Sequence, residues 1–100
     1  MMMMLMSASS SNNYCDVYGT VYVESSAKRA DYKVYVDDSE AFADLLVFKE
    51  DNKLFADQEG KWYFVKEKAF ADFTIYITSQ RNEADFSIFY TESESFAGCN

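Results

Sequence analysis

The sequence predicts a mainly β fold: one compact tandem-repeat domain of about six short strands with one-turn helical connectors. Three observations predict it. Ala-Asp steps recur along the chain at near-constant spacing. An apolar residue followed by an aromatic one recurs at a fixed distance after each step. The polar stretches between them are too short to hold a full helix.

The steps are Ala30-Asp31, Ala43-Asp44, Ala56-Asp57, Ala71-Asp72 and Ala84-Asp85, and Ala97-Gly98 stands where a sixth is due. Successive alanines are 13, 13, 15, 13 and 13 residues apart, the longer interval falling at Gln58-Glu59-Gly60. Counting back the same interval from Ala30 reaches Val17, so an earlier unit runs from Val17 to Arg29 without the Ala-Asp step. Aligned, the six units form columns. Val21, Val34, Val47, Trp62, Ile75 and Ile88 fill the first; Tyr22, Tyr35, Phe48, Tyr63, Tyr76 and Phe89 fill the second. Val23, Val36, Lys49, Phe64, Ile77 and Tyr90 fill a third. The residue before alanine is Phe42, Phe55, Phe70 or Phe96, with Arg29 and Glu83 as exceptions.

Taken in order, residues 1–14 read as a disordered tail and residues 15–100 as a single domain. Met1 to Met6 is apolar but short and lacks a preceding basic residue, unlike a secretory signal, so the expected location is cytoplasmic. Each unit then contributes a strand. In Tyr32-Lys33-Val34-Tyr35-Val36, the residues Tyr32, Val34 and Val36 share one face, and Lys33 and Tyr35 the other. Phe73-Thr74-Ile75-Tyr76-Ile77 and Phe86-Ser87-Ile88-Phe89-Tyr90 repeat that layout. A second face open to water would expose six large rings, each worth ~1.5–3 kcal/mol when buried, against a net stability of ~5–15 kcal/mol. Both faces are therefore expected to be at least partly covered, with rings such as Tyr35, Tyr63 and Tyr76 largely buried.

The connectors, such as Asp37 to Phe42 and Thr78 to Glu83, are polar. With no proline and 3 glycines in the chain, their turns must rely on Asp, Asn and Ser. Ser39-Glu40-Ala41-Phe42-Ala43 can make one helical turn that drops Phe42 onto the sheet. Six residues are too few for a helical crossover between parallel neighbours, which excludes an α/β fold and a helical solenoid.

Units of this length, with Ala-Asp, a Val/Ile-Tyr/Phe pair and an Ala-ending connector, resemble a small bacterial family of compact repeat β-proteins. The resemblance covers Cys15 to Cys99, and departs from the pattern at the two-residue insertion before Trp62 and at Arg29, Glu83 and Lys49. It implies a chain tied in a deep seven-crossing torus knot, which periodicity alone does not show.

Chemistry is sparse. The net charge of −8 repels nucleic acid and anionic lipid, and no apolar run approaches a membrane span. Histidine is absent, the three glycines form no phosphate loop, and no serine lies in a Gly-x-Ser-x-Gly elbow. The one constellation is the column Asp31, Asp44, Asp57, Asp72 and Asp85. As a ladder of carboxylates it could bind Ca²⁺ or serve hydrolysis. The preferred reading is structural: each aspartate accepts backbone N–H bonds at the turn before its strand. The aromatic column reads as core before it reads as a stacking platform. Cys15 and Cys99 are expected to be thiols in a reducing cytosol, a disulfide between them being the lesser alternative. The expectation is a stable, non-enzymatic structural or protein-interaction module with acidic connectors, monomeric, with no cofactor and no nucleic-acid or membrane partner.

Overall fold

The structure is a computed structural model that describes residues 13–100. Seven strands alternate with single turns of 3-10 helix: β1 (Gly19–Val23), β2 (Tyr32–Val36), β3 (Leu45–Lys49), β4 (Lys61–Phe64), β5 (Phe73–Ile77), β6 (Phe86–Tyr90) and the short β7 (Gly98–Cys99). The connector turns are Ala27–Arg29, Glu40–Phe42, Lys53–Phe55, Lys68–Phe70, Arg81–Glu83 and Glu94–Phe96. Each is closed by the column alanine, whose N–H donates to the carbonyl three residues earlier. Three residues are enough for a 3-10 turn and too few for an α-helix. Side chains open these turns as well. Asp37 Oδ1, Asn52 Oδ1, Thr78 Oγ1 and Thr91 Oγ1 each accept the backbone N–H two residues on.

Most of the expected tail lies outside the described residues. Its last two residues, Asn13 and Tyr14, belong to a further 3-10 turn, Asn13–Asp16, and Tyr14 stacks on Phe86 with ring centroids 5.3 Å apart.

Six strands close into a parallel barrel in the order β4-β1-β5-β2-β6-β3, with β3 completing the ring against β4. Strand β7 runs antiparallel along the start of β3, pairing Cys99 with Leu45 and Gly98 with Leu46. The first three strands thus alternate with the next three around the ring. Consecutive strands are second neighbours, with one other strand between them; only β3 and β4 are adjacent. Each pairing is staggered by two residues in the same sense: Val21 faces Phe73 of β5, Val34 faces Phe86 of β6, and Lys49 faces Trp62 of β4. A two-residue stagger keeps inward residues against inward residues and tilts the strands steeply. Steep, five-residue strands climb little along the barrel axis. Connectors without a helical crossover can therefore return to start a parallel strand.

The barrel interior is the first sequence column. Val21, Val34, Val47, Trp62, Ile75 and Ile88 are all 0% exposed, and Leu45, Phe73 and Phe86 complete the core from the strand starts. The bulkiest member, Trp62, meets Phe73 edge-on at 5.2 Å, and its indole N–H donates to the Val17 carbonyl at 2.8 Å. The odd lysine of the third column sits at the barrel end. Its ammonium lies 4.1 Å from the Tyr90 ring centre and 5.6 Å from that of Phe64, a cation held on two ring faces. Burial raises the Tyr90 pKa.

The aromatic column points outward. Tyr22, Tyr35, Phe48, Tyr63, Tyr76 and Phe89 are half-buried, which corrects the expectation of largely buried rings. The second face is covered, but by narrow connectors and not by another layer.

Candidate functional site: the connector layer

Because a strand lies between most consecutive strands, each such connector crosses that strand on its outer side. The β1–β2 connector crosses β5, β2–β3 crosses β6, β4–β5 crosses β1, β5–β6 crosses β2 and β6–β7 crosses β3. The crossings bury polar residues at the strand starts, among them Thr20, Thr74 and Ser87.

The aspartate column fastens these crossings. Asp72 N–H donates to the Thr20 carbonyl at 2.7 Å, and Asp72 Oδ2 accepts the Thr20 N–H at 3.0 Å. Asp85 holds Lys33 in the same way, at 2.6 and 2.8 Å. Asp31 grips Thr74 and Asp44 grips Ser87, with the partner hydroxyls drawn in as further contacts. The aspartates do accept backbone N–H bonds, as expected. The donors, however, are on the crossed strand, 43 or 52 residues away, and not at the aspartate's own turn. Asp57 is exposed and, among the described residues, clamps no strand. The β3–β4 connector that carries it joins adjacent strands and crosses nothing. At the sixth step Gly98 pairs by backbone with Leu46 of the crossed strand β3. The carboxylates are thus distributed around the barrel, each on its own crossing. Among the described residues no group of three or more His, Cys, Asp or Glu side chains converges to hold a metal ion.

A second column, not apparent from the repeat, follows each of the first three strands. Glu24, Asp37 and Glu50 are buried acids whose N–H groups donate to the carbonyls of Ile75, Ile88 and Trp62. Lys68, the first residue of the turn crossing β1, pairs with Glu24. Arg81, the first residue of the turn crossing β2, pairs with Asp37 and lies over the Tyr35 ring at 5.0 Å. The third equivalent of these cations is Glu94, on the turn crossing β3, so Glu50 meets an acid. Burial and then the Glu94 carboxyl push the Glu50 pKa up. Glu94 is held low by Lys61, 3.2 Å away, and by its contact with Glu50. Beside the pair opens a cleft of about 420 Å³ lined by Gln58, Glu59, Lys61, Glu94, Ser95 and Ala97. The constant 44-residue spacing from acid to cation, at Glu24–Lys68 and Asp37–Arg81, is the signal in the sequence that marks this column.

The phenylalanine column is the largest departure from expectation. Phe42, Phe55, Phe70 and Phe96 are 71, 57, 68 and 59% exposed, and Leu54 is 75% exposed. Phe42 does end a helical turn, as expected, but it is not dropped onto the sheet. At Phe42 and Phe70 the connector is clamped flat on the crossed strand by Asp44 or Asp72, and the turn before the clamp faces away. The same turn recurs at Phe55 and Phe96, whose connectors lack an aspartate clamp.

The two cysteines are also corrected. Cys15 and Cys99 form a disulfide with Cα atoms 5.3 Å apart, within the usual range. Strand β7 brings the C-terminal end against the Asn13–Asp16 turn, closing 84 residues of chain.

This interleaved, connector-wrapped barrel has a counterpart among known families. Residues 14–100 match the model of the 7(1) septoil knot domain. The chain belongs to this family. No curated protein matches the chain. The strand order explains what membership requires. The chain makes two passes around the barrel, β1–β3 and β4–β6, and every connector of one pass that crosses a strand crosses one belonging to the other. The Asp clamps are the hydrogen bonds between those passes. Among the described residues no helix is long and apolar enough to cross a membrane.

Proposed function

We propose that this septoil knot domain is a non-enzymatic structural and protein-interaction module that docks through the phenylalanines of its connectors. The observation that carries the reading is the exposure of Phe42, Phe55, Phe70 and Phe96 at equivalent positions. Exposed large apolar side chains held in hydrogen-bonded turns lose little entropy on docking and bury much area. The partner is a protein surface with apolar recesses and a basic surround, because the chain carries a net charge of −8.

The test compares the wild type with Phe42→Ser/Phe70→Ser as bait in an extract of the source cells. Both proteins must melt alike, since these rings are outside the core. A basic protein retained by the wild type, released by salt and lost from the variant supports the reading. Equal retention by both, or none by either, counts against it. Concentration-dependent self-association of the wild type replaces the partner with a second copy.

Location enters through the cystine. In the cytoplasm expected from sequence, Cys15 and Cys99 are held as thiols; in an oxidising compartment they form the bond of the folded structure. Alkylation at lysis reads which state the cell maintains.

A further inference from the structure

We propose that Glu50 and Glu94 share one proton and that losing it releases the 92–97 connector from β3, making this crossing a pH-sensitive strap. The argument begins with the equivalence of three crossings. At β1 and β2 a buried acid is neutralised by the first residue of the overlying turn, Lys68 for Glu24 and Arg81 for Asp37. At β3 the same place holds Glu94, so the buried Glu50 carboxyl faces a second carboxyl where Glu24 and Asp37 face a cation. Two carboxylates in contact repel, while one carboxyl and one carboxylate make a strong O–H···O bond. The groups facing Glu50 are Glu94, Lys61 and Asp51. Lys61 supplies one positive charge, already engaged by Glu94. Asp51 adds to the repulsion. A proton is therefore the missing partner, with Glu50 donating and Glu94 accepting.

The sign follows from the two shifts. The Glu50 pKa is raised in the closed protein above its ordinary 4.5. The closed form thus binds more protons than the open one, and its stability falls as pH rises from the ordinary value to the raised one. Glu94 is lowered, so its contribution is lost only as pH falls through that lower value. Between these limits the pair holds one proton and the strap is closed. Above the upper limit the repulsion is relieved by swinging the exposed Glu94 into water. The Glu94–Phe96 turn then lifts from β3, while the Cys15–Cys99 bond keeps the strand beyond it in place.

The experiment follows amide hydrogen exchange of Phe96 and Ala97, whose N–H groups close this turn onto Ser93 and Glu94, against pH in three proteins. In the wild type, after correction for intrinsic chemistry, opening rises by up to about tenfold per pH unit within the window. Glu94→Lys restores the acid–cation register of the other crossings and abolishes the slope. Glu50→Gln keeps a permanent donor toward Glu94 and abolishes it as well, so a folding failure of one variant leaves the other decisive. Equal slopes in all three proteins overturn the proposal. So does a carboxyl-carbon titration of the wild type in which Glu50 and Glu94 both titrate at ordinary values.

Discussion

At the residue scale, the aspartate column separates position from role. Five aspartates share one place in the units, yet four clamp a crossed strand and Asp57 clamps none. Asp72→Ala strands the Thr20 N–H beneath its connector, and a lost bond to a charged acceptor costs about 1.5–3 kcal/mol. Asp72→Asn retains an acceptor and should cost less. Asp57→Ala should fall within about ±0.5 kcal/mol, as for an ordinary surface site. Urea denaturation of the three variants checks the order, and an Asp57 change as costly as Asp72→Ala breaks the assignment. The acceptor role was legible in the sequence, because a small carboxylate before each of five strands, β2 to β6, has few other uses. Its partner was not. The donor lies 43 or 52 residues away, and residue type does not encode which strand a connector will cross.

At the scale of elements, the six-fold column Val21 to Ile88 marks the barrel interior by spacing alone, because residues two apart in a strand share a face. The same logic misplaces the phenylalanines. An apolar residue at fixed spacing reads as core, yet Phe42 and Phe70 end turns that face outward. Stability should divide accordingly. Trp62→Ala is expected to cost about 3–5 kcal/mol, and Phe70→Ser less than about 0.5 kcal/mol. Thermal melts that rank them the other way contradict the placement of both. The insertion is the other irregular element. Gly60 has φ +81°, and a Cβ there would collide with the backbone of Gly98 and Leu46. Gly60→Ala should therefore loosen β4 and β7 together. Its signature is faster exchange at the Phe48 and Asn100 amides, which donate to Gly60 and Asp44, with little change at Asp72.

At the scale of the whole molecule, the cystine and the knot act together. A chain joined from Cys15 to Cys99 is a closed ring, so unfolding expands it but cannot untie it. The reduced chain can untie and must thread again to fold. In the chain-entropy description a loop of this length stabilises by about 4–5 kcal/mol. Reduction should lower the melting temperature and slow refolding from prolonged denaturation, and refolding at equal rates with the bond open or closed argues against a threaded chain. The repeated strands and one-turn connectors were visible in the sequence. The order in which strands pair was not, since the units are alike and several orders bury the same columns. That order is the central claim, and nuclear Overhauser contacts between backbone protons test it most directly. The interleaved barrel predicts contacts between Tyr22 and Thr74, Lys33 and Tyr76, and Tyr35 and Ser87, with none joining β1 to β2 or β2 to β3. Contacts that instead pair β1 with β2 and β2 with β3 in sequence would contradict the winding.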